Sequence, residues 1–246
     1  MSLNAKIIER FIAVELSKIC ETRVDSGTIL DLGCGTVPYL DYYKERFSKT
    51  ILADYEARSP YTNCFMDAHK ITLKDSSIDC VLLIEVVEHL HDPKTALSEI
   101  SRVLKPGGSL IITWPFMHGM HEIPNDYTRF TEFGMFGLLR HCDLEVVKFT
   151  RRGGILTVCA EILFYLLSGF ILHLRRKSII LDWLFRPFSF LTGISYDYFV
   201  RIWLNLFKYE RTIVKHPGEL LHGWKGHLKL WTLGYCLLAR KKTSIG

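Results

Sequence analysis

Short β-prone apolar runs alternate with helical patterns along the first 150 residues, and this alternation limits the folds open to the chain. A run such as CVLLI, apolar throughout, is typical of a strand buried on both faces of a sheet. Strands that alternate with helices predict a mostly parallel sheet with helices on both faces. The predicted strands are Thr28–Leu32, Thr50–Ala53, Ile78–Ile84, Ser109–Trp114 and Leu144–Phe149, and the predicted helices are 3–20, 36–47, 93–104 and 131–141.

The composition changes after residue 150. Residues 1–150 hold 16 Lys and Arg against 21 Asp and Glu, whereas residues 151–246 hold 15 against 5. The second part also contains long apolar segments, and it closes with a further predicted strand at Leu233–Arg240. We therefore expect a core over 1–150, a hydrophobic and basic helical insertion over 151–230, and a closing strand with a basic tail over 231–246.

A glycine pair follows the first predicted strand, in the stretch TILDLGCGTVPY at 28–39. Gly33 and Gly35 permit unusual backbone angles and a close approach to a ligand, as at a nucleotide site. Pro38 stands where a dinucleotide fingerprint needs its third glycine. Asp31, two positions before the first glycine, suits a ligand that carries a positively charged amino group.

Five stretches resemble, in order, the motifs of class I S-adenosylmethionine-dependent methyltransferases of type 11: LDLGCG, ILADYEA, FMDAHKI, IDCVLLIEVVEHLHDP and RVLKPGGSLIITWPF. The resemblance covers about residues 25–150 and the closing strand. It implies an α/β, Rossmann-like, seven-stranded, mostly parallel sheet, an insertion between the sixth and seventh strands, and S-adenosylmethionine as cofactor. The expected cofactor contacts are Asp31, Gly33, Cys34, Gly35, Asp54 (to the ribose), Tyr55, Asp67 and Ala68 (to the adenine), and Glu85.

One residue departs from the family pattern. The family usually has another glycine where this chain has Val37, and a β-branched side chain is strained wherever φ is positive. Asp54 follows the glycine loop by about 20 residues, a spacing used for ribose recognition. We therefore expect the loop to bind the cofactor in spite of Val37.

A polar segment follows the fifth predicted strand, and its sequence HEIPNDYTRFT resembles a subgroup of these methyltransferases associated with cell-surface glycan assembly. A hydroxyl acceptor must lose its proton, and an imidazole suits that task near neutral pH. We predict His121 and Asp126 as catalytic residues, with Asp126 either orienting the imidazole or acting as the base. The expected acceptor contacts are Glu122, Tyr127 and Arg129. The structural alternative is an ordered loop in which Asp126 or Thr131 caps the next helix.

The apolar segment at 155–172 barely reaches the roughly 18–20 residues that span a bilayer. Glu161 near its centre would cost about 2.5–3.5 kcal/mol there, so we do not expect the chain to span the membrane. Two alternatives are a helical subdomain packed on itself and a patch that rests on an anionic leaflet. Seven scattered cysteines and a charged N-terminal segment predict a cytoplasmic protein without a zinc site or signal peptide, in peripheral contact with the inner face of the membrane under the second alternative.

These observations predict a methyltransferase that acts on an oxygen of a glycan or lipid-linked sugar precursor near the membrane. The alternatives are methylation of a lipid or isoprenoid quinone and, in another class, a non-catalytic membrane-associated scaffold. Nucleic acid is a poor candidate partner, because the basic region interleaves long aliphatic runs and not isolated stacking aromatics.

Overall fold

The computed structural model describes residues 3–21, 27–56, 58–177 and 232–243. Four helices lie in these ranges: α1 Leu3–Glu21, α2 Pro93–Val103, α3 Glu132–His141 and α4 Ile155–Lys177. Seven strands alternate with them: β1 Thr28–Leu32, β2 Lys49–Asp54, β3 Cys64–Phe65, β4 Ile78–Ile84, β5 Leu104–Pro115, β6 Leu144–Arg152 and β7 Gly234–Lys241.

The strands form one sheet with the order β3-β2-β1-β4-β5-β7-β6. Strand β7 runs antiparallel to both of its neighbours, whereas the other pairs are parallel. The predicted seven-stranded, mostly parallel sheet is therefore confirmed. The order reverses direction between β1 and β4, and ligands bind at such a switch point, outside the carboxyl ends of the strands.

The central strand shows how the sequence builds two cores. Successive side chains of β4 point to opposite faces of the sheet, so Val81 and Leu83 join one buried cluster while Cys80 and Leu82 join the other. Helices α2 and α3 cover the first face, and α1 covers the second. Helices on both faces were expected from the alternating pattern.

Both helices on the first face begin at capping residues. The side chain of Asp92 accepts a hydrogen bond from the N–H of Thr95 before Pro93 opens α2. The hydroxyl of Thr131 accepts from the N–H of Gly134 at the start of α3. The structural alternative for Thr131, a helix cap, is therefore confirmed.

The predicted helix at 36–47 was wrong. The structure has only a single 3₁₀ turn there, at Leu40–Tyr42, between other turns. Val37 has a φ of 57°, which lies outside the right-handed helical region and so interrupts a helix in its first turn. Tyr43 and Phe47 are nevertheless buried, because tight turns of this spacing also place them against the sheet.

Two strand predictions also needed correction. The fifth strand was predicted at Ser109–Trp114, but residues 105–108 (KPGG) also belong to β5, which starts at Leu104 directly after α2. The short edge strand β3 was not predicted, because two residues carry no readable period.

The hydrophobic region begins with α4, which follows β6 after two glycines. Leu163, Leu166 and Phe170 on this helix are more than half exposed. The rest of the predicted insertion, from residue 178, and the basic tail from residue 244 lie outside the described residues. Within the described ranges, none of the helices combines the length and the apolar character needed to cross a membrane.

Candidate active site

A cavity of about 410 Å³ opens at the carboxyl ends of β1, β2 and β4, the edge where an open α/β sheet binds ligands. Seven predicted cofactor contacts and two predicted acceptor contacts line it. The seven are Gly33, Gly35, Asp54, Tyr55, Asp67, Ala68 and Glu85, and the two are Glu122 and Tyr127. One cavity thus joins residues that are almost 100 positions apart in the chain.

The glycine loop lies at the mouth of β1 with both glycines at positive φ, 75° for Gly33 and 52° for Gly35. A Cβ atom on Gly33 would lie 2.5 Å from Cγ2 of Val86, so a larger residue does not fit there. A Cβ on Gly35 would meet no atom within 4 Å, so the backbone at Gly35 borders open space. The loop therefore offers a ligand direct access to its backbone, as a cofactor cradle requires.

Val37 has a backbone conformation that favours glycine. Its φ of 57° places a β-branched residue in the left-handed region, which costs of order 1–3 kcal/mol. The Val37 side chain is buried in the cluster beneath α1, with Tyr43 and Phe47. Burial of a valine side chain offsets a strain of that size, which explains why the loop keeps its path.

Asp54 at the end of β2 anchors the loop. Its Oδ2 accepts a hydrogen bond of 2.8 Å from the N–H of Gly35, and its Oδ1 accepts one of 3.2 Å from the N–H of Glu56. Asp54 is buried yet borders the cavity. The carboxylate thus fixes the glycine loop in the position where a ligand ribose would reach it.

Asp31 and Cys34 are placed differently from the other predicted cofactor residues. Both are buried, and neither lines the cavity. The hydroxyl of Tyr43 donates a hydrogen bond to Asp31. Burial raises the pKa of Asp31 to about 6, against the lowering effect of that hydrogen bond. The Cys34 thiol contacts the hydroxyl of Thr62 at 3.8 Å.

Asp67 and Ala68 follow β3 on the far side of the cavity. The carboxylate of Asp67 accepts hydrogen bonds from the backbone N–H of His69 at 2.8 Å and from its ring at 2.7 Å. The backbone hydrogen bond lowers the pKa of Asp67, so its side chain is anionic. A fixed anion beside the buried methyl group of Ala68 offers one polar and one apolar surface to a planar base.

Glu85 directly follows β4, has a φ of 53°, and forms an ion pair with a buried arginine. Its carboxylate lies 3.0 Å from Nη2 of Arg152, which is fully buried and also donates to the carbonyl of Trp114 at 2.6 Å. The hydroxyl of Thr113 donates to Glu85 at 2.8 Å. Glu85 therefore lines the cavity while it neutralises an arginine beneath the sheet edge.

The loop between β5 and α3 covers the cavity from the side opposite the glycine loop. Arg58 donates to both carboxylate oxygens of Glu122 at 3.2 Å, a contact between the two sides of the cavity. Exposed Tyr127 also borders it. The backbone N–H groups of Tyr127 and Thr128 donate to the carbonyl of Glu88 and so fix this loop against the end of β4.

His121, Asp126 and Arg129 form a second layer behind these lining residues. Asp126 accepts two hydrogen bonds from the Arg129 guanidinium and one of 3.0 Å from the backbone N–H of His121. The guanidinium holds the pKa of Asp126 well below its usual range. Nδ1 of His121 lies 3.4 Å from Oδ2 of Asp126. Asp126 is therefore suited to orient His121.

Three further residues belong to this site and were not among the predicted site residues: Glu88, His89 and Arg152. Glu88 has only 1% of its side chain exposed, and its Oε1 lies 3.7 Å from the Nε2 atoms of both His89 and His121. Neither carboxylate oxygen has a hydrogen-bond partner among the described residues. The spacing EHLH after a buried strand is a visible signal for His89 and Glu88, whereas Arg152 arrives from the opposite edge of the sheet and has no local signal.

Comparison with known proteins bears on this site. A family model described as a methyltransferase domain matches residues 30–112. An O-methyltransferase of Aspergillus nomiae is 28% identical over 148 residues, which cover 50% of this chain and 66% of the fungal protein. A demethylmenaquinone methyltransferase of Protochlamydia amoebophila is 27% identical over 140 residues, covering 49% and 54%. The chain spans less than two fifths of several other curated relatives that it matches.

Solved structures share the fold at low identity. The crystal structure of the [4+2]-cyclase SpnF superposes with a TM-score of 0.51 at 18% identity, over 94% of this chain and 81% of that one. The family model over residues 30–112 supports S-adenosylmethionine as the cofactor, and the cavity lies at the switch point of the sheet, where ligands bind.

Proposed function

We propose that this protein is an S-adenosylmethionine-dependent methyltransferase that methylates an oxygen of a glycan or of a lipid-linked sugar precursor. The observation that carries the proposal is one cavity lined both by the glycine loop with Asp54 and Asp67 and by the loop after β5. A methyltransferase needs a cofactor site and an acceptor site that share one space.

The cofactor side is assigned to residues whose geometry fits the group. The open space at Gly35, the fixed Asp54 carboxylate and the Asp67–Ala68 surface suit an amino-acid tail, a ribose and an adenine. When bound, the cofactor supplies an electrophilic methyl group on a sulfonium. Much of the rate of such a transfer comes from alignment of the acceptor, which is the task of the residues opposite the glycine loop.

The acceptor side is assigned to the loop after β5. Glu122 and Tyr127 offer a carboxylate and a phenol at the cavity surface, groups that hydrogen-bond to sugar hydroxyls. His121 lies behind them with Asp126 at its Nδ1, so its Nε2 is the atom available to take a proton from an acceptor hydroxyl. Oxygen as the accepting atom is favoured by this histidine and by the likeness to a fungal O-methyltransferase.

The placement of the acceptor near a membrane rests on the region after β6. Leu163, Leu166 and Phe170 of α4 are exposed, and residues 151–246 hold 15 basic against 5 acidic residues. Apolar side chains together with excess positive charge suit an anionic lipid surface. The rings of Tyr165 on α4 and His118 in the loop after β5 lie 6.3 Å apart, so α4 is adjacent to the acceptor side.

Two experiments test these assignments. Purified protein should carry S-adenosylmethionine or S-adenosylhomocysteine, or bind them on titration, and failure to bind either would refute the enzyme assignment. Vesicles with anionic lipid should sediment the protein, and vesicles of neutral lipid should not. Replacement of both Leu166 and Phe170 by Ser should reduce sedimentation without altering cofactor affinity. Equal sedimentation with both vesicle types, or with neither, would remove the membrane part of the proposal.

A further inference from the structure

One buried carboxylate beside the cavity has no hydrogen-bond partner among the described residues. Glu85 is paired with Arg152, and Asp126 is paired with Arg129. Glu88 has no such arginine, and within the described residues its two oxygens accept no hydrogen bond. A buried charge without a partner costs far more than a buried neutral group. A cation bound beside Glu88 would therefore stabilise its carboxylate.

Two imidazoles face the same carboxylate. The Nε2 atoms of His89 and His121 each lie 3.7 Å from Oε1 of Glu88, too far for a hydrogen bond. The three ligand atoms all lie within 4.8 Å of one another. Ligand atoms bound at about 2.0–2.2 Å around one tetrahedral ion lie roughly 3.4 Å apart. Small side-chain movements would therefore bring all three onto a common ion.

The remaining ring nitrogens are already oriented. Nδ1 of His89 lies 2.6 Å from the carbonyl oxygen of Asn125. Nδ1 of His121 lies 3.4 Å from the carbonyl oxygen of Gly119 and 3.4 Å from Oδ2 of Asp126. An acceptor at one ring nitrogen directs the other nitrogen toward the metal in most histidine metal sites. Asp126 is itself held by Arg129, so this outer layer is rigid before any ion arrives.

We propose that Glu88, His89 and His121 form a binding site for a divalent transition metal ion, with Zn²⁺ as the best-suited ion, at the edge of the cofactor cavity. Two histidines and one glutamate are a ligand set of catalytic zinc sites, which keep a fourth position open. His89 lines the cavity, so the ion lies beside the space assigned to the acceptor. A metal site was not predicted, because no paired cysteines mark it and His121 lies in a separate segment from Glu88 and His89.

The chemical role of the ion rests on the proposed function, whereas its binding does not. A coordinated hydroxyl is more acidic than a free one, because the ion stabilises the oxyanion. The ion would therefore lower the pKa of the acceptor hydroxyl, and the proton would pass to solvent water as the methyl group leaves the sulfonium for the oxygen. In the metal-bound enzyme His121 would serve as a ligand and would no longer be the proton acceptor. Asp126 becomes a positioning residue that acts through His121.

The test is metal binding by the full chain. Protein freed of metal by a chelator is titrated with Zn²⁺ in competition with a chromophoric chelator, and one tightly held equivalent is expected. Glu88→Gln and His121→Ala should abolish that equivalent, and Asp126→Asn should weaken it by about 10–100-fold, the usual effect of an outer-layer partner. His91→Ala is the matched control, because His91 lines the same cavity but stacks on His69 away from the cluster.

Replacing Zn²⁺ by Co²⁺ shows whether the ion is bound by these three ligands or by any of the seven cysteines. Visible bands without a sulfur charge-transfer band are expected, and a sulfur band would overturn the assignment. Zn²⁺ bound equally by wild type, Glu88→Gln and His121→Ala would also overturn it, as would no binding at all. If Glu88→Gln does not fold, His121→Ala decides, since His121 is partly exposed. Titration of the same samples with S-adenosylmethionine shows whether the proposed function fails separately.

Discussion

The carboxylate of Asp54 accepts a hydrogen bond of 2.8 Å from the backbone N–H of Gly35, and so joins the end of β2 to the glycine loop. The two residues are 19 positions apart in sequence. Both residues line the cavity, so this contact fixes the backbone of the glycine loop at the cavity wall. A ligand bound to the loop therefore depends on Asp54 in two ways, through the shape of the loop and through direct contact.

Asp54→Ala should weaken S-adenosylmethionine binding by about 1–3 kcal/mol, the cost of leaving charged hydrogen bonds unmade. Asp54→Asn is the matched control, because its carbonyl oxygen can still accept from Gly35 and keep the loop in place. We expect its affinity to lie between those of wild type and Asp54→Ala, by calorimetry. An Asp54→Ala protein with unchanged affinity would show that the ribose lies elsewhere.

Asp31 provides a prediction about pH. Its pKa is about 6 in the folded protein against an ordinary 3.8, so the folded state keeps a proton that the unfolded chain has already lost. Stability from this group is therefore fully present below about pH 4 and is lost as the pH rises to 6. The loss amounts to about 3 kcal/mol at 1.36 kcal/mol per pKa unit.

Asp31→Asn should remove that dependence while it keeps an oxygen for the Tyr43 hydroxyl. The melting temperature of the variant relative to wild type should rise between pH 4 and pH 6 and change little above. Parallel melting curves for the two proteins across this range would contradict the buried, protonated Asp31. Cofactor affinity, measured alongside, tests whether Asp31 also serves the amino group as its motif implies.

Val37→Gly has two opposing effects on the stability of the folded protein. Glycine relieves the strain of a φ of 57°, but it also removes a side chain buried beneath α1. With strain of order 1–3 kcal/mol and a valine burial of about 1.5–3 kcal/mol, the two effects nearly cancel. We expect a folded protein of similar melting temperature, with cofactor affinity equal to or slightly above wild type. A large loss of affinity would mean that the loop depends on valine for its path.

His121→Ala should lower turnover by about 10²–10⁴-fold, the usual contribution of general acid–base catalysis, because it removes both an imidazole that can take a proton and a ligand of the proposed ion. Cofactor affinity should stay close to wild type, because His121 is not among the residues assigned to the cofactor. His118→Ala is the control, since His118 belongs to the same loop and its ring forms a hydrogen bond of 2.9 Å with the neighbouring Gly119 carbonyl. A fully active, fully stable His121→Ala protein would end the proposed role.

The strands could be predicted because the spacing of apolar residues along each strand matches the burial of its faces. The run at Ile78–Ile84 has no polar alternation, and it lies at the centre of the sheet with the predicted bounds. The segment at 36–47 failed for the opposite reason. Its apolar spacing fits a helix as well as a chain of tight turns, and the positive φ of Val37 decides between them.

The site residues that could be predicted are those that a single local sequence motif marks. Gly33, Asp54 and Asp67 each follow a strand, so the parallel sheet places them at one edge. The buried partners could not be predicted in this way. Arg152 belongs to the edge strand β6 and yet pairs with Glu85, which follows the central strand β4. The place of Glu88 in the site can be recognised only once His121 is known to lie 3.7 Å from it. Such pairs depend on tertiary contacts that no local pattern encodes.

Calorimetric titration of the full chain with S-adenosylmethionine and with S-adenosylhomocysteine is the decisive test of the cofactor site. We expect saturable binding of both at one site per chain, weakened in Asp54→Ala and unaltered in His121→Ala. The absence of heat and of any thermal shift at millimolar cofactor would contradict S-adenosylmethionine as the cofactor, whatever the metal titration shows.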